Sequence, residues 1–206
     1  MEHLKNILEL LYLLSGPALV LFAYKALEQI KVTKDLAKIN AKREAYKVTA
    51  DECRYYSEKI IPLINTLDKK VDELGAQIFQ KSVVKVGANS IEVKPFTNYI
   101  DHDDVIEKLT GEFVDVANAL SGFSTYFVSG IADEKLAYNT LGRTYCNTVK
   151  KYAPLLVLIS KENNSAIQLF VIWSNRAIKD KALLEKRKIE EKIKNTSEMI
   201  VKPIGT

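Results

Sequence analysis

The sequence predicts an all-α fold: an N-terminal transmembrane helix, a long juxtamembrane helix and a cytoplasmic helical bundle, with room for one short β-hairpin. Three observations carry this. Leu10 to Tyr24 holds no charged side chain, and a stripe of mostly apolar residues spaced alternately by four and three runs from Val32 to Ile78. Only 8 Gly and 5 Pro stand among 206 residues rich in Leu, Ile, Ala, Lys and Glu, which favours helices over a many-stranded sandwich. Three parts follow: an anchor over 1–26, a basic juxtamembrane helix over 27–61 and a helical module over 62–206.

The anchor is read from Ile7 to Tyr24, 18 residues in which Glu9 is the one charge, at the short end of what spans a bilayer. Gly16-Pro17 interrupts the run, but proline is tolerated in membrane helices, and the run has no polar face to suit the surface of a soluble protein. A cleavable signal needs small residues before its cut site, whereas Tyr24, Lys25 and Ala26 follow directly and the pattern continues as helix. Lys5 alone stands on the N-terminal side, against Lys25, Lys31, Lys34 and Lys38 on the other. That asymmetry predicts an N-terminus outside and a cytoplasmic C-terminal module, with these four lysines facing anionic lipid at about 1 kcal/mol each. Glu9 reads as an interfacial carboxylate reaching water, or as a helix-pairing or pore-lining acid in an oligomer. Together with Gly16 and Pro17 it marks the span as more than a featureless anchor.

Val32, Leu36, Ile39, Arg43, Tyr46, Ala50, Cys53, Ser57, Ile60, Ile64, Leu67, Val71, Leu74 and Ile78 form the stripe, with Arg43 and Ser57 its plainly polar members. Packing against its own chain and self-association as a stalk are equally compatible with it. Pro62 lacks a backbone donor and should break or kink the helix, so one helix is expected from about Leu27 to Ile61 and another from Pro62 to about Gln80. From Ser82 to Val93, Val83, Val84, Val86, Ile91 and Val93 flank Gly87-Ala88-Asn89-Ser90, as in a short hairpin or an irregular loop, with Lys94-Pro95 closing the segment.

Asp101-His102-Asp103-Asp104 reads as a capping cluster opening a helix near Asp104, because the chain's other histidine, His3, precedes the span. Val105, Leu109, Phe113, Val116, Leu120, Phe123 and Phe127 follow at helical spacing. Val116 to Ala132 is uncharged, yet Asn118 with its Ser, Thr and Gly neighbours favours a buried core helix over a second membrane pass. Gly130 stops that helix and Asp133 caps the next, which ends near Pro154. Leu155 to Ile159 then continues as a short, fully apolar turn or helix. After Asn163-Asn164 a final helix buries Ile167, Phe170, Val171 and Trp173, the indole nitrogen bonded to a neighbour, and becomes a charged rod through Lys194.

Cys53 and Cys146, far apart, read as reduced buried thiols. Phosphate-loop, dinucleotide and metalloprotease motifs are missing, and with His3 before the span and His102 in the capping cluster no histidine is available to serve a serine as base. Glu107, Glu112, Asp115, Asp133 and Glu134 show no ligand-pair spacing, so neither metal nor cofactor is expected. The C-terminal rod mixes Asp180, Glu185, Glu190 and Glu191 with its basic residues, which disfavours nucleic acid. Asp133, Glu134, Arg143 and Trp173 make the best candidate recognition set. Arg143 lies too far along its helix to pair with Asp133 or Glu134; an ion pair to another helix, or recognition of a phosphate or carboxylate, are its two roles.

The stretch from Ala119 to Leu156, with Ala-Leu-Ser-Gly-Phe, Val-Ser-Gly-Ile-Ala-Asp-Glu, Leu-Gly-Arg-Thr-Tyr-Cys and Val-Lys-Lys-Tyr-Ala-Pro-Leu-Leu, resembles a family of uncharacterised bacterial single-pass, membrane-anchored helical proteins. The resemblance implies a bacterial inner membrane and this order of parts, and brings no reaction with it. The expected function is therefore a non-enzymatic, membrane-tethered interaction or scaffolding protein. Its partners would be membrane lipid, copies of itself and an unidentified protein. The alternative is an oligomeric, ligand-responsive membrane effector, of the kind used in stress or phage defence, whose N-terminal helices perturb the bilayer.

Overall fold

A computed structural model of the chain describes residues 2–75, 82–94, 102–159 and 164–198. These are almost wholly helical, and they divide into two compact units, 1–47 and 48–206. The first helix, α1, runs from Glu2 to Tyr55 and so passes the unit boundary. The compact module begins at Val48, fourteen residues earlier than the boundary at Pro62 drawn from the sequence.

In the first unit α1 continues through Pro17. The Ser15 hydroxyl donates to the Tyr12 carbonyl at 2.7 Å, one turn from the site where proline removes a donor. Leu10, Leu11, Leu13, Leu19, Val20, Leu21 and Phe22 are all exposed within the unit, and the most apolar window of the helix has none of its surface buried. Among the described residues this is the one helix long and apolar enough to cross a membrane.

In the second unit regular α-helical winding is interrupted just before Pro62, without the chain leaving the helical path. A π-turn, Tyr56–Ile60, links α1 to α2, Ile61–Glu73, and the Ile61 N–H reaches back five residues to the Tyr56 carbonyl. The wider turn absorbs the missing donor of Pro62, the second residue of α2. It also shifts the apolar face. Thr49 and Tyr56 are buried where the unbroken four-three spacing places Ala50 and Ser57, and Ile60, Ile64, Leu67 and Val71 continue the buried line. Hence the polar Ser57 leaves the seam and a tyrosine enters it. α2 stops at Glu73, short of the expected Gln80, because Gly75 takes φ +60° and its N–H bonds the Asp72 carbonyl at 3.1 Å. Ile78 and Gln80 lie outside the described residues, as does Pro95.

The β-branched segment is a hairpin: β1 (Val83–Val86) pairs antiparallel with β2 (Ile91–Lys94), Val84 opposite Val93 and Val86 opposite Ile91. These four are half-buried, while Lys85, Glu92 and Lys94 face out. α3 spans His102–Val128, starting two residues before the expected Asp104, with Asp103 and Asp104 in its first turn. Asp101 and the side chains of the acidic cluster fall outside the described residues. Gly130 takes φ +74° after α3, and α4 (Glu134–Ile159) opens with Asp133 Oδ1 accepting the Leu136 N–H at 2.8 Å. α4 does not end at Pro154. Tyr152, Ala153, Leu155 and Leu156 are buried around the proline, and their burial outweighs the roughly 3 kcal/mol that an interior proline costs. α5 (Ser165–Glu198) opens where Asn164 Oδ1 accepts the Ala166 N–H at 2.8 Å.

The core lies between the π-turn, α2, α3, α4 and α5. Val116, Leu120, Phe123 and Phe127 of α3 are buried there, so the uncharged stretch from Val116 lies in a core helix that ends at Val128. Tyr145 stands at the centre: its hydroxyl donates to the Ala166 carbonyl at 2.8 Å and lies 2.7 Å from the Ser124 hydroxyl. Its ring centroid is 4.9 Å from that of Trp173 and 5.7 Å from that of Phe123. Trp173 is fully buried among these rings, but its indole nitrogen has no hydrogen-bond partner among the described residues, contrary to expectation. Aromatic packing has set the ring's position ahead of its one polar atom.

Candidate functional site

Between Asn139 and Lys150, α4 carries hydrogen-bond donors spaced by four, four and three: Asn139, Arg143, Asn147 and Lys150 fall on one helix face, spanning about 16 Å at 1.5 Å per residue. This face forms one wall of a cavity of about 630 Å³ between α4, α5 and the hairpin. Val84 and Val86 of β1 with Phe170 and Ile178 of α5 supply the apolar wall, and Tyr138, Cys146 and Ser174 also line it.

Local structure holds each wall in place. The hairpin turn is pinned to α5 by Asn175, whose amide nitrogen donates to the carbonyls of Gly87 at 3.0 Å and Ala88 at 3.1 Å. Tyr138 packs flat against its own helix. A Cβ at Gly142 would stand 2.6 Å from the Tyr138 ring, so only glycine admits the ring there. Arg176 lies 5.0 Å from the Tyr138 ring centroid and pairs with Glu134 at 2.5 Å, while the Tyr138 hydroxyl donates to Asp180 at 3.2 Å.

The wall is positively charged. Among the described residues no Asp or Glu lines the cavity, and neither Arg143 nor Lys150 forms an ion pair. Three half-buried cations of the module are matched: Lys70 with Glu112 at 2.5 Å, Lys151 with Asp68 at 2.9 Å and Arg176 with Glu134. Burial pushes the Cys146 thiol up, with the hydrogen bond from Ser174 opposing it in part, and burial followed by the Asp180 carboxylate raises the Tyr138 phenol. Both groups are neutral at pH 7, which leaves two fixed positive charges and a set of donors. Exposed donors and two cations beside an apolar wall can accept an anion, and among the described lining residues the protonated thiol has no imidazole or carboxylate to activate it.

No protein-family model, curated protein or solved structure matches the chain. The reading of the site therefore rests on its geometry.

The structure disperses the four residues singled out as a recognition set. Asp133 is a helix cap whose N–H donates to the Thr49 hydroxyl at 2.7 Å. Glu134 belongs to Arg176, which sequence spacing did not single out, and Trp173 is core. Arg143 alone reaches the cavity. Asn139, Asn147 and Lys150 were missed; the readable signal was a run of donors at helical spacing around Arg143 with no acid among them. Glu9, Gly16, Pro17, Lys25, Lys31, Lys34 and Lys38 all lie exposed on α1 in the first unit, where Lys25 pairs with Glu28 at 2.9 Å. The carboxylates weighed as metal ligands are spread apart, with Glu112 on Lys70 and Glu134 on Arg176.

Proposed function

We propose that this chain is a membrane-tethered, non-enzymatic interaction protein of the bacterial inner membrane, self-associating through its N-terminal helices, with residues 48–206 as its cytoplasmic module. The observation that carries this reading is the apolar surface of α1: its most hydrophobic window is wholly uncovered within its unit, and exposed apolar area on that scale is covered by lipid or by other copies. The basic residues from Lys25 to Lys38 support a cytoplasmic C-terminal side. Farther along, Val32, Leu36, Ile39 and Tyr46 remain exposed, leaving the first half of the four-three stripe available for a second chain.

Alkaline carbonate extraction of membranes tests the tether. The intact chain should remain in the pellet, and the pair Leu13→Arg, Leu19→Arg should move it to the supernatant, since each central charge costs about 3 kcal/mol of insertion. An intact chain released by carbonate would sink the reading.

A second reading, a ligand-responsive membrane effector, is favoured by the cation-lined cavity. It predicts that overproduction collapses the membrane potential and that Glu9→Gln or Arg143→Gln relieves this. An unchanged potential with the intact chain would remove it.

A further inference from the structure

We propose that the cavity between α4, α5 and the hairpin binds a small organic phosphate, its head group held by Arg143 and Lys150 and its apolar body lying against Val84, Val86 and Phe170. The inference stands independently of the membrane tether, because every residue it uses lies in the second unit.

Size comes first. A volume of about 630 Å³ falls inside the range of roughly 300–1,000 Å³ typical of small-molecule sites, well beyond what inorganic phosphate alone fills. Charge comes next. Arg143 and Lys150 sit seven residues apart on one helix face, about 10 Å along the axis, and their long side chains can converge on one group between them. Two cations, with no carboxylate among the described lining residues, match the charge of about −1.5 to −2 of a phosphate monoester. Asn147 stands between them on the same face and adds amide donors, which suits a head with several acceptor oxygens.

The opposite wall says what the head is attached to. Val84 and Val86 point their side chains inward from the hairpin yet are only half-buried, so apolar surface remains open on the cavity side, facing α4 and α5. A hydrated free phosphate gains nothing from that wall. An alkyl or aryl body does. An alkyl phosphate would reach the site from the membrane as a detached single-chain lipid, an aryl phosphate from solution; both present the same chemistry.

The full chain in nanodiscs of zwitterionic lipid, with empty nanodiscs subtracted, would be titrated with octyl phosphate, 2-naphthyl phosphate, inorganic phosphate and octanol. Trp173, the one tryptophan, reports binding, because its ring lies 5.9 Å from that of Tyr138 on the cavity wall. At least one organic phosphate should bind about tenfold or more tightly than both inorganic phosphate and octanol. The pair Arg143→Gln, Lys150→Gln should lose about tenfold or more, and Ala177→Phe, which fills the cavity from α5, should lose binding while leaving Arg143 in place. Preference for octyl phosphate marks a membrane source and preference for 2-naphthyl phosphate a soluble one. Failure of both organic phosphates to bind, equal binding of inorganic phosphate or octanol, or unchanged affinity in the two-cation variant would overturn the proposal. Because carbonate extraction is read separately, a chain that stays in the membrane without binding loses only this inference.

Discussion

Gly142 shows how one missing side chain shapes the site. Alanine in place of an open helical glycine gains about 0.5–1 kcal/mol, and Gly111 of α3, with nothing within 4 Å of a built Cβ, should follow that rule. At Gly142 the sign should reverse: Gly142→Ala drives a methyl into the Tyr138 ring and should destabilise by about 1–3 kcal/mol. Urea unfolding followed by Trp173 fluorescence would separate the two, and equal gains would mean that Tyr138 is not held against the helix. Glu134 makes a second case. Its side chain is 22% exposed and that of Arg176 31%, and each keeps one buried atom, Oε1 and Nη1, without a partner among the described residues. Glu134→Gln should therefore cost about 1–3 kcal/mol, below the range for a fully buried pair because solvent screens part of the interaction. Arg176 was not singled out from the sequence, since its partner is 42 residues away and neither residue's local spacing reveals the match.

Among the elements, the hairpin is held both by Val84, Val86 and Ile91 packed against the core and by one polar side chain, Asn175. Four-residue strands form a marginal pair by themselves, and the two hydrogen bonds from Asn175 hold the turn on α5. Asn175→Ala should cost about 1–2 kcal/mol and speed amide exchange across Val84–Val86 by roughly tenfold, while exchange in α3 stays unchanged. Uniform acceleration throughout the module would instead mean that the hairpin and core open together. The alternating valines and the Gly-Ala-Asn-Ser punctuation left a hairpin and an irregular loop equally open; the pairing of the strands and their docking on α5 decide for the hairpin. The π-turn is the reverse example. Pro62 was plainly visible, and a break or kink was the natural expectation; what kept the chain on its helical path was a core already filled by Tyr56, Ile60 and Ile64 on either side of the wide turn.

Over the whole molecule, stability should have an acid and an alkaline limb. The hydrogen bond from Lys70 holds the Glu112 carboxyl below its ordinary 4.5. Its contribution is complete above that value and is lost as pH falls through the lower folded value. Glu112→Gln should reduce stability at neutral pH and flatten the decline in acid. At the other end, burial raises the Tyr56 phenol from 10.0 to about 12, and burial with the neighbouring Asp68 raises Tyr152 further. Their contribution is complete below pH 10 and drains away as pH rises toward and through 12, so Tyr56→Phe should make the alkaline limb shallower. Denaturation midpoints between pH 3 and 11 would reveal both limbs.

Read alone, the sequence determined the helical class, the apolar N-terminal segment, the buried faces of α3 and α5 and the caps at Asp133 and Gly130. These depend on spacing and on residues within a few positions of one another, where backbone geometry leaves little choice. The tertiary structure decided the rest: the shift from Ser57 to Tyr56, the passage of α4 through Pro154, the pairing of Arg176 with Glu134, and the gathering of Asn139, Arg143, Asn147 and Lys150 opposite the hairpin. Each is settled by contacts between distant segments, and local preferences of a few kcal/mol yield to a core that buries most of its aromatic rings.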